Sequence, residues 1–113
     1  MARPDQDAEG LLLGAYARLL NNAQKMLAAA SEQRWDDLAV CENEREACLV
    51  SLADTSPTST NPNFIVTRNQ FIHAILECDE RTKALVHERR SELSELMDSV
   101  GNERKLADAY RGA

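Results

Sequence analysis

The spacing of apolar residues near the N-terminus is the feature that most constrains the fold. Between residues 12 and 30, apolar side chains recur in alternating steps of four and three: Leu12, Tyr16, Leu19, Ala23, Met26 and Ala30. Such steps follow the 3.6-residue turn of an α-helix and keep these side chains on one stripe. Three leucines widen the stripe: Leu13, Leu20 and Leu27. The spacing predicts a first helix over residues 8–30, preceded by a polar lead-in at 1–7.

Similar spacing predicts two further long helices. A short polar connection at 31–34 leads into a second helix at 35–54, and a break of this length favours an antiparallel pair of helices. The segment TSPTSTNPN at 55–63 combines two prolines with small polar residues, which favours a loop. A third helix is predicted at 67–100. Its apolar line comprises Phe71, Ile75, Cys78, Thr82, Leu85, Leu93, Leu96 and Val100.

The last residues predict a break and a short fourth helix. Gly101 and Asn102 are residue types that commonly end helices. The segment 103–111 that follows has Leu106 and Tyr110 on one side. No stretch alternates as a strand would, and 113 residues are typical of one domain. The predicted fold is therefore an all-α antiparallel helical bundle, a single domain over 1–113 with three long helices and a short C-terminal fourth helix.

Charge and hydropathy narrow the classes of function. The 13 Lys and Arg residues are outnumbered by 19 Asp and Glu, which gives a net charge of −6. Because nucleic-acid binding relies on basic residues that neutralise phosphates, we expect no nucleic-acid partner. No apolar run reaches the roughly 18–20 residues of a membrane span, and the first ten residues lack the apolar stretch of a signal peptide. We therefore expect a cytoplasmic protein without membrane insertion.

No residue pattern indicates catalysis, a metal site or a cofactor. The cysteines, Cys41, Cys48 and Cys78, are odd in number and lack CxxC spacing, so we expect ordinary buried or half-buried thiols. His73 and His87 are separated by about 21 Å along one helix, too far to share a metal ion. Phosphate-binding glycine loops and nucleophile motifs do not occur in the sequence. We expect a protein that is not an enzyme.

Helix lengths predict an uncovered apolar surface. At 1.5 Å per residue the third helix spans about 50 Å, whereas the first two span roughly 34 Å and 31 Å. The second half of the third helix should therefore extend beyond the helices it packs against. This half carries Leu93, Leu96, Met97 and Val100. A patch of this kind on a soluble protein is normally covered. The cover could be segment 103–111 folded back, a second copy of the chain in a homodimer, or another protein.

Three polar or aromatic residues leave alternatives open. Asp79 falls roughly opposite Arg45 in the predicted pairing, either as an ion pair that fixes the helix register or as a recognition point for a partner. Trp35, at the start of the second helix, is either a core anchor or a partner contact. Tyr110 lies close to the C-terminus, where it either packs the tail or anchors an interface.

Three segments together resemble the FliT-type flagellar export chaperones. They are QRWDDL at 33–38, LECDERTKALVHERRSELSELM at 76–97 and ERKLADAY at 103–110, in the order and at the separations of that family. The resemblance extends from Leu11 to Tyr110. It implies a cytosolic protein without enzymatic activity that holds the flagellar filament-cap protein soluble by binding its C-terminal segment on an apolar helical surface. It also implies delivery to the flagellar export apparatus through contacts with the export ATPase complex and the export gate.

The resemblance and the predicted overhang together suggest site residues. We expect the cap protein to contact a set of residues on the third helix: Ile75, Asp79, Leu85, Leu93, Leu96 and Met97. The resemblance implies that the fourth helix, with Leu106 and Tyr110, masks this surface and that Tyr110 docks at the export gate. Some relatives also bind the flagellar master transcription regulator. The alternative functions are a regulator that sequesters a flagellar transcription activator and a structural dimerisation bundle.

Overall fold

Three helices make up the regular structure of the residues that the structure describes. A computed structural model describes residues 4–54 and 61–112, which form α1 (Pro4–Ser31), α2 (Trp35–Asp54) and α3 (Pro62–Arg111). These described residues contain no strand, and the all-α prediction is confirmed. The bounds of α2 are those predicted. Residues 55–60 of the predicted loop lie outside the described residues.

Two helices begin earlier than predicted, each at a proline. α1 begins at Pro4 rather than at residue 8, so residues 4–7 of the predicted lead-in are helical. α3 begins at Pro62 rather than at residue 67. Proline suits the first position of a helix because its fixed φ is helical and its missing N–H would have no partner there. At α3, the side-chain oxygen of Asn61 also accepts a hydrogen bond from the backbone N–H of Asn63 at 3.1 Å and caps the helix.

The predicted break at Gly101 and Asn102 is wrong. α3 continues through both residues to Arg111, so segment 103–111 extends α3 and is not a separate fourth helix in the described part of the chain. A glycine ends a helix when its backbone turns left-handed, but Gly101 does not have a positive φ. Glycine inside a helix costs only about 1 kcal/mol relative to alanine. The strong helix formers that follow, Arg104, Lys105 and Leu106, outweigh that cost.

The chain divides into two compact units, residues 1–82 and residues 83–113. The first unit contains the core. Leu19 and Ala23 of α1 and Ile75 of α3 form a buried cluster. Half-buried side chains from all three helices pack on this cluster: Tyr16, Leu20, Cys48, Leu52 and Cys78. The stripes predicted for the first and third helices therefore meet in one core.

The turn between α1 and α2 closes the helix pair through backbone hydrogen bonds. The N–H of Arg34 donates to the carbonyl oxygen of Ala29 at 2.8 Å, and the N–H of Gln33 donates to that of Ala30 at 3.2 Å. Gln33 adopts the left-handed conformation with φ of 59°, which lets the chain leave α1. The Arg34 side chain then pairs with Asp37 in the first turn of α2 at 2.7 Å.

A buried asparagine links α1 to α2. The side-chain amide of Asn22 donates to the backbone carbonyl of Cys41 at 2.8 Å, and both residues are buried. This bond offsets part of the cost of placing a polar amide in the core, because Oδ1 of Asn22 has no hydrogen-bond partner among the described residues. The bond also fixes one register of the pair. Cys41 is a buried thiol, and Cys48 and Cys78 are half-buried thiols, as predicted.

Candidate protein-binding surface

The unit formed by the C-terminal half of α3 presents apolar side chains to solvent. None of its described residues, 83–112, is buried, and every residue of 91–100 is exposed. The exposed fraction is 40% for Leu93, 60% for Leu96, 73% for Met97 and 42% for Val100. At about 100° per residue these side chains fall within an arc of roughly 100°, so they form one continuous stripe. We call these four residues the C-terminal face.

Residues that were expected to cover this face are themselves exposed. Leu106 is 60% exposed and Tyr110 is 77% exposed. Because α3 is continuous through Gly101, both residues lie further along the same helix and do not fold back over the face. The masking arrangement that the sequence predicted is therefore not the conformation of these residues here. Leu85, at the start of the unit, is half-buried.

Charged residues border the C-terminal face on the same helix. Arg89 and Glu92 lie 3.9 Å apart at their closest side-chain atoms, and both are substantially exposed. Exposed pairs of this kind contribute little to stability. They do leave a hydrophobic strip with a polar rim, which is the usual composition of a site that binds an amphipathic helix.

The two remaining predicted site residues lie in the first unit. Ile75 is only 4% exposed and packs against Leu19 and Ala23 of α1. Asp79 faces Arg45 of α2, as the sequence predicted. The predicted site residues are thus divided between the two units. Ile75 and Asp79 lie in the first unit, and the remaining predicted residues lie in the second.

Arg45 and Asp79 form a bidentate ion pair. The two guanidinium nitrogens Nη1 and Nη2 of Arg45 donate to Oδ1 and Oδ2 of Asp79, each at 2.6 Å. The side chains are 22% and 26% exposed, so water screens the pair only partly. The hydrogen bond to Asp79 raises the pKa of Arg45 above its ordinary value. Both carboxylate oxygens of Asp79 are therefore engaged within the protein, which favours the register-fixing interpretation.

Sites for other chemistry are not evident in the part of the chain that the structure describes. His73 and His87 are both exposed. Among residues 4–54 and 61–112, no three His, Cys, Asp or Glu side chains are grouped so that they could hold a metal ion. None of the described helices combines the length and the apolar character that crossing a membrane requires.

The described residues form an all-α protein in which one face of α3 exposes an apolar stripe to solvent. A family model described as "Flagellar protein FliT" matches residues 13–112, and the chain belongs to the FliT family of flagellar proteins. FliT is not a family of enzymes.

Curated relatives agree with this assignment. The flagellar protein FliT of Photorhabdus laumondii subsp. laumondii is 28% identical over 100 residues, which cover 88% of this chain and 80% of the relative. Those of Escherichia coli O1:K1 and Shigella flexneri serotype 5b are each 25% identical over 100 residues, covering 85% of this chain and 80% of the relative. No solved structure matches the chain with statistical significance.

Proposed function

We propose that the protein is a cytoplasmic export chaperone that binds the C-terminal segment of the flagellar filament-cap protein. Membership of the FliT family supports a flagellar role. The observation that carries the binding proposal is the C-terminal face, a solvent-exposed stripe on a helix with no buried residue in its unit. A chaperone of this kind acts by burial, because it covers an amphipathic segment that would otherwise aggregate.

The C-terminal face is large enough to contribute substantially to binding. Complete burial of a Leu, Met or Val side chain from full exposure is worth about 1.5–3 kcal/mol. Because the four side chains are 40–73% exposed, about 1 kcal/mol each remains to be gained on binding. The sum, about 4 kcal/mol, competes with the ordering costs of the bound helix and requires further contacts for tight binding. Leu85, which is half-buried at the start of the same unit, is a candidate for one of them.

Delivery of the client forms the second part of the proposal. The bound complex would dock on the export ATPase complex and then on the export gate, with Tyr110 as the gate contact. Tyr110 is 77% exposed, and tyrosine is favoured as an interface anchor because it combines a large apolar ring with a polar hydroxyl. Its exposure is also compatible with a docking role that leaves the helix intact.

A masked resting state would require a second conformation. Leu106 and Tyr110 can cover the C-terminal face only if α3 breaks between Val100 and Leu106. Gly101 is the residue in this interval with the lowest helix propensity, so a break there costs least. Masking is therefore a separate part of the proposal, which can fail while the binding function holds.

The binding proposal is tested by titrating the chain with the C-terminal segment of the filament-cap protein in a calorimeter. Leu96 and Leu76 are a matched pair, because both lie on α3 and their exposed fractions are 60% and 56%. We expect Leu96→Asp to weaken binding at least tenfold and Leu76→Asp to leave binding within twofold of the unmodified chain. Circular dichroism should show the same helix content for both variants. Equal losses in the two variants, or no binding by the unmodified chain, would contradict the proposal.

A further inference from the structure

α2 has a second apolar line on the side opposite the core. Its core-facing residues recur in steps of three and four: Leu38, Cys41, Arg45, Cys48 and Leu52. A different set with the same steps, Val40, Asn43, Ala47 and Val50, is exposed along its whole length. Val40 is 55% and Val50 is 57% exposed. We call these four residues the α2 outer face.

An apolar line on each side is unusual for a surface helix. Such a helix normally has one apolar stripe and is charged or polar on the opposite face. The 3–4 spacing of the α2 outer face is that of a coiled-coil seam, in which a single asparagine such as Asn43 fixes the register of the partner. The small side chains of Ala47 and Val50 would let a second helix approach to about 8–10 Å between axes. The spacing therefore fits a helix packed lengthwise on α2.

The charges that α2 itself places beside its outer face are negative, whereas Lys25 of α1 lines a pocket together with Glu44. Glu44 lies along one edge and Glu46 along the other, and neither forms an ion pair within residues 4–54 and 61–112. α2 has six acidic residues and one basic residue. That basic residue, Arg45, faces the interior and pairs with Asp79. A helix that docks here would place its own flanking side chains against carboxylates.

We propose that the α2 outer face binds an amphipathic helix of another protein in which lysines or arginines flank a small apolar seam. Opposite charges at the flanking positions of a coiled coil select partner and orientation. A second copy of α2 would instead place Glu44 and Glu46 against identical carboxylates, and like charges so placed oppose pairing. The proposal goes beyond the chaperone function, because the α2 outer face shares no residue with the C-terminal face.

The test uses a synthetic three-heptad helical peptide with leucine and alanine in the seam and lysine at the flanking positions. A control peptide has glutamate in place of each lysine. Fluorescence anisotropy measures binding of each labelled peptide to the full chain at low and high salt. We expect the lysine peptide to bind at least tenfold more tightly than the glutamate peptide and to weaken as salt screens the charges. Equal binding of the two peptides would overturn the proposal.

Variants of the chain locate the peptide. Val50→Asp should weaken binding of the lysine peptide at least tenfold. Val66 on α3 is 55% exposed and serves as the control, so Val66→Asp should leave the affinity for this peptide unchanged. The double variant Glu44→Lys/Glu46→Lys keeps the apolar seam and should reverse the preference towards the glutamate peptide. An unchanged preference in the double variant would refute the charge complementarity, even if Val50→Asp proved misfolded. Sedimentation that showed a dimer abolished by Val50→Asp would assign the face to a second copy and overturn the proposal.

Discussion

Truncation of two side chains on α3 should separate folding from binding. Ile75 and Leu96 are 21 residues apart, so they occupy equivalent positions of a seven-residue repeat. Ile75 is 4% exposed and packs in the core, whereas Leu96 is 60% exposed. Ile75→Ala leaves a cavity and should lower the free energy of unfolding by about 2–5 kcal/mol. Leu96→Ala removes a side chain that is already solvated, and alanine is a better helix former, so we expect a change below about 0.5 kcal/mol.

For client binding the order of the two variants should be reversed, so that Leu96→Ala has the larger effect. About three-fifths of the Leu96 side chain is free to become buried in a complex, so its truncation should cost about 1–2 kcal/mol of binding free energy, or roughly 5- to 30-fold in Kd. Urea unfolding followed by circular dichroism at 25 °C gives the stability of each variant. Calorimetric titration with the cap-protein segment gives the affinity. If Leu96→Ala destabilised the fold as much as Ile75→Ala, the C-terminal face would be part of a core and our interpretation of α3 would be refuted.

Four further substitutions have defined expected outcomes. Asp79→Asn should lower the free energy of unfolding by about 1–3 kcal/mol in urea titrations, because Arg45 would stay half-buried without its carboxylate partner. In a chain that already carries Arg45→Met, the same substitution should cost less. Equal losses in the two backgrounds would show that the pair is not coupled. Gln33→Gly should raise stability by about 0.5–1 kcal/mol, since glycine adopts a positive φ without strain, and a lower melting temperature would contradict this. Tyr110→Ala should weaken binding to the export gate in a pull-down while circular dichroism stays unchanged; a large loss of helix signal would assign the residue a structural role. Gly101→Ala should stabilise the continuous α3 by about 0.5–1 kcal/mol, because an added Cβ meets no atom within 4 Å. If the unmodified chain populates a masked state, this variant should also bind the cap-protein segment with a lower calorimetric Kd. An unchanged Kd would exclude the masked state.

The helix bounds were predicted well where residues close in sequence determine where a helix begins or ends. α2 has the predicted bounds, since Trp35 follows a short polar connection and two aspartates in its first turn favour a helix N-terminus. The predicted helix break at Gly101 was wrong for a physical reason. Glycine permits the left-handed turn that ends many helices but does not impose it, and nothing in the neighbouring sequence requires the chain to leave the helix there.

Contacts between distant residues were predictable only where two patterns could be aligned. The opposition of Arg45 and Asp79 followed from the predicted antiparallel pairing of the second and third helices. The hydrogen bond from Asn22 to the carbonyl of Cys41 had no such signal, because a buried amide looks like any polar residue until its partner on another helix is known. The sequence therefore predicted the ion pair but missed the asparagine.

The apolar stripe of α3 was predictable, but its surroundings were not. Ile75 and Leu96 were both expected to contact a partner because they lie in one stripe. Spacing reports which side of a helix is apolar and carries no information on which molecule covers it. The structure separates the two residues by their exposure: one packs against α1, and the other is open to solvent.

The different surroundings of Ile75 and Leu96 on α3 have a consequence for how the protein tolerates substitutions. Around Ile75, replacements must match volume, so only apolar residues of similar size will be well accepted. Around Leu96, a polar replacement leaves the folded chain intact and is eliminated only when a client must be held. A library screened for folded protein alone should thus accumulate polar residues in the last third of this helix, and the same library screened for client retention should lose them.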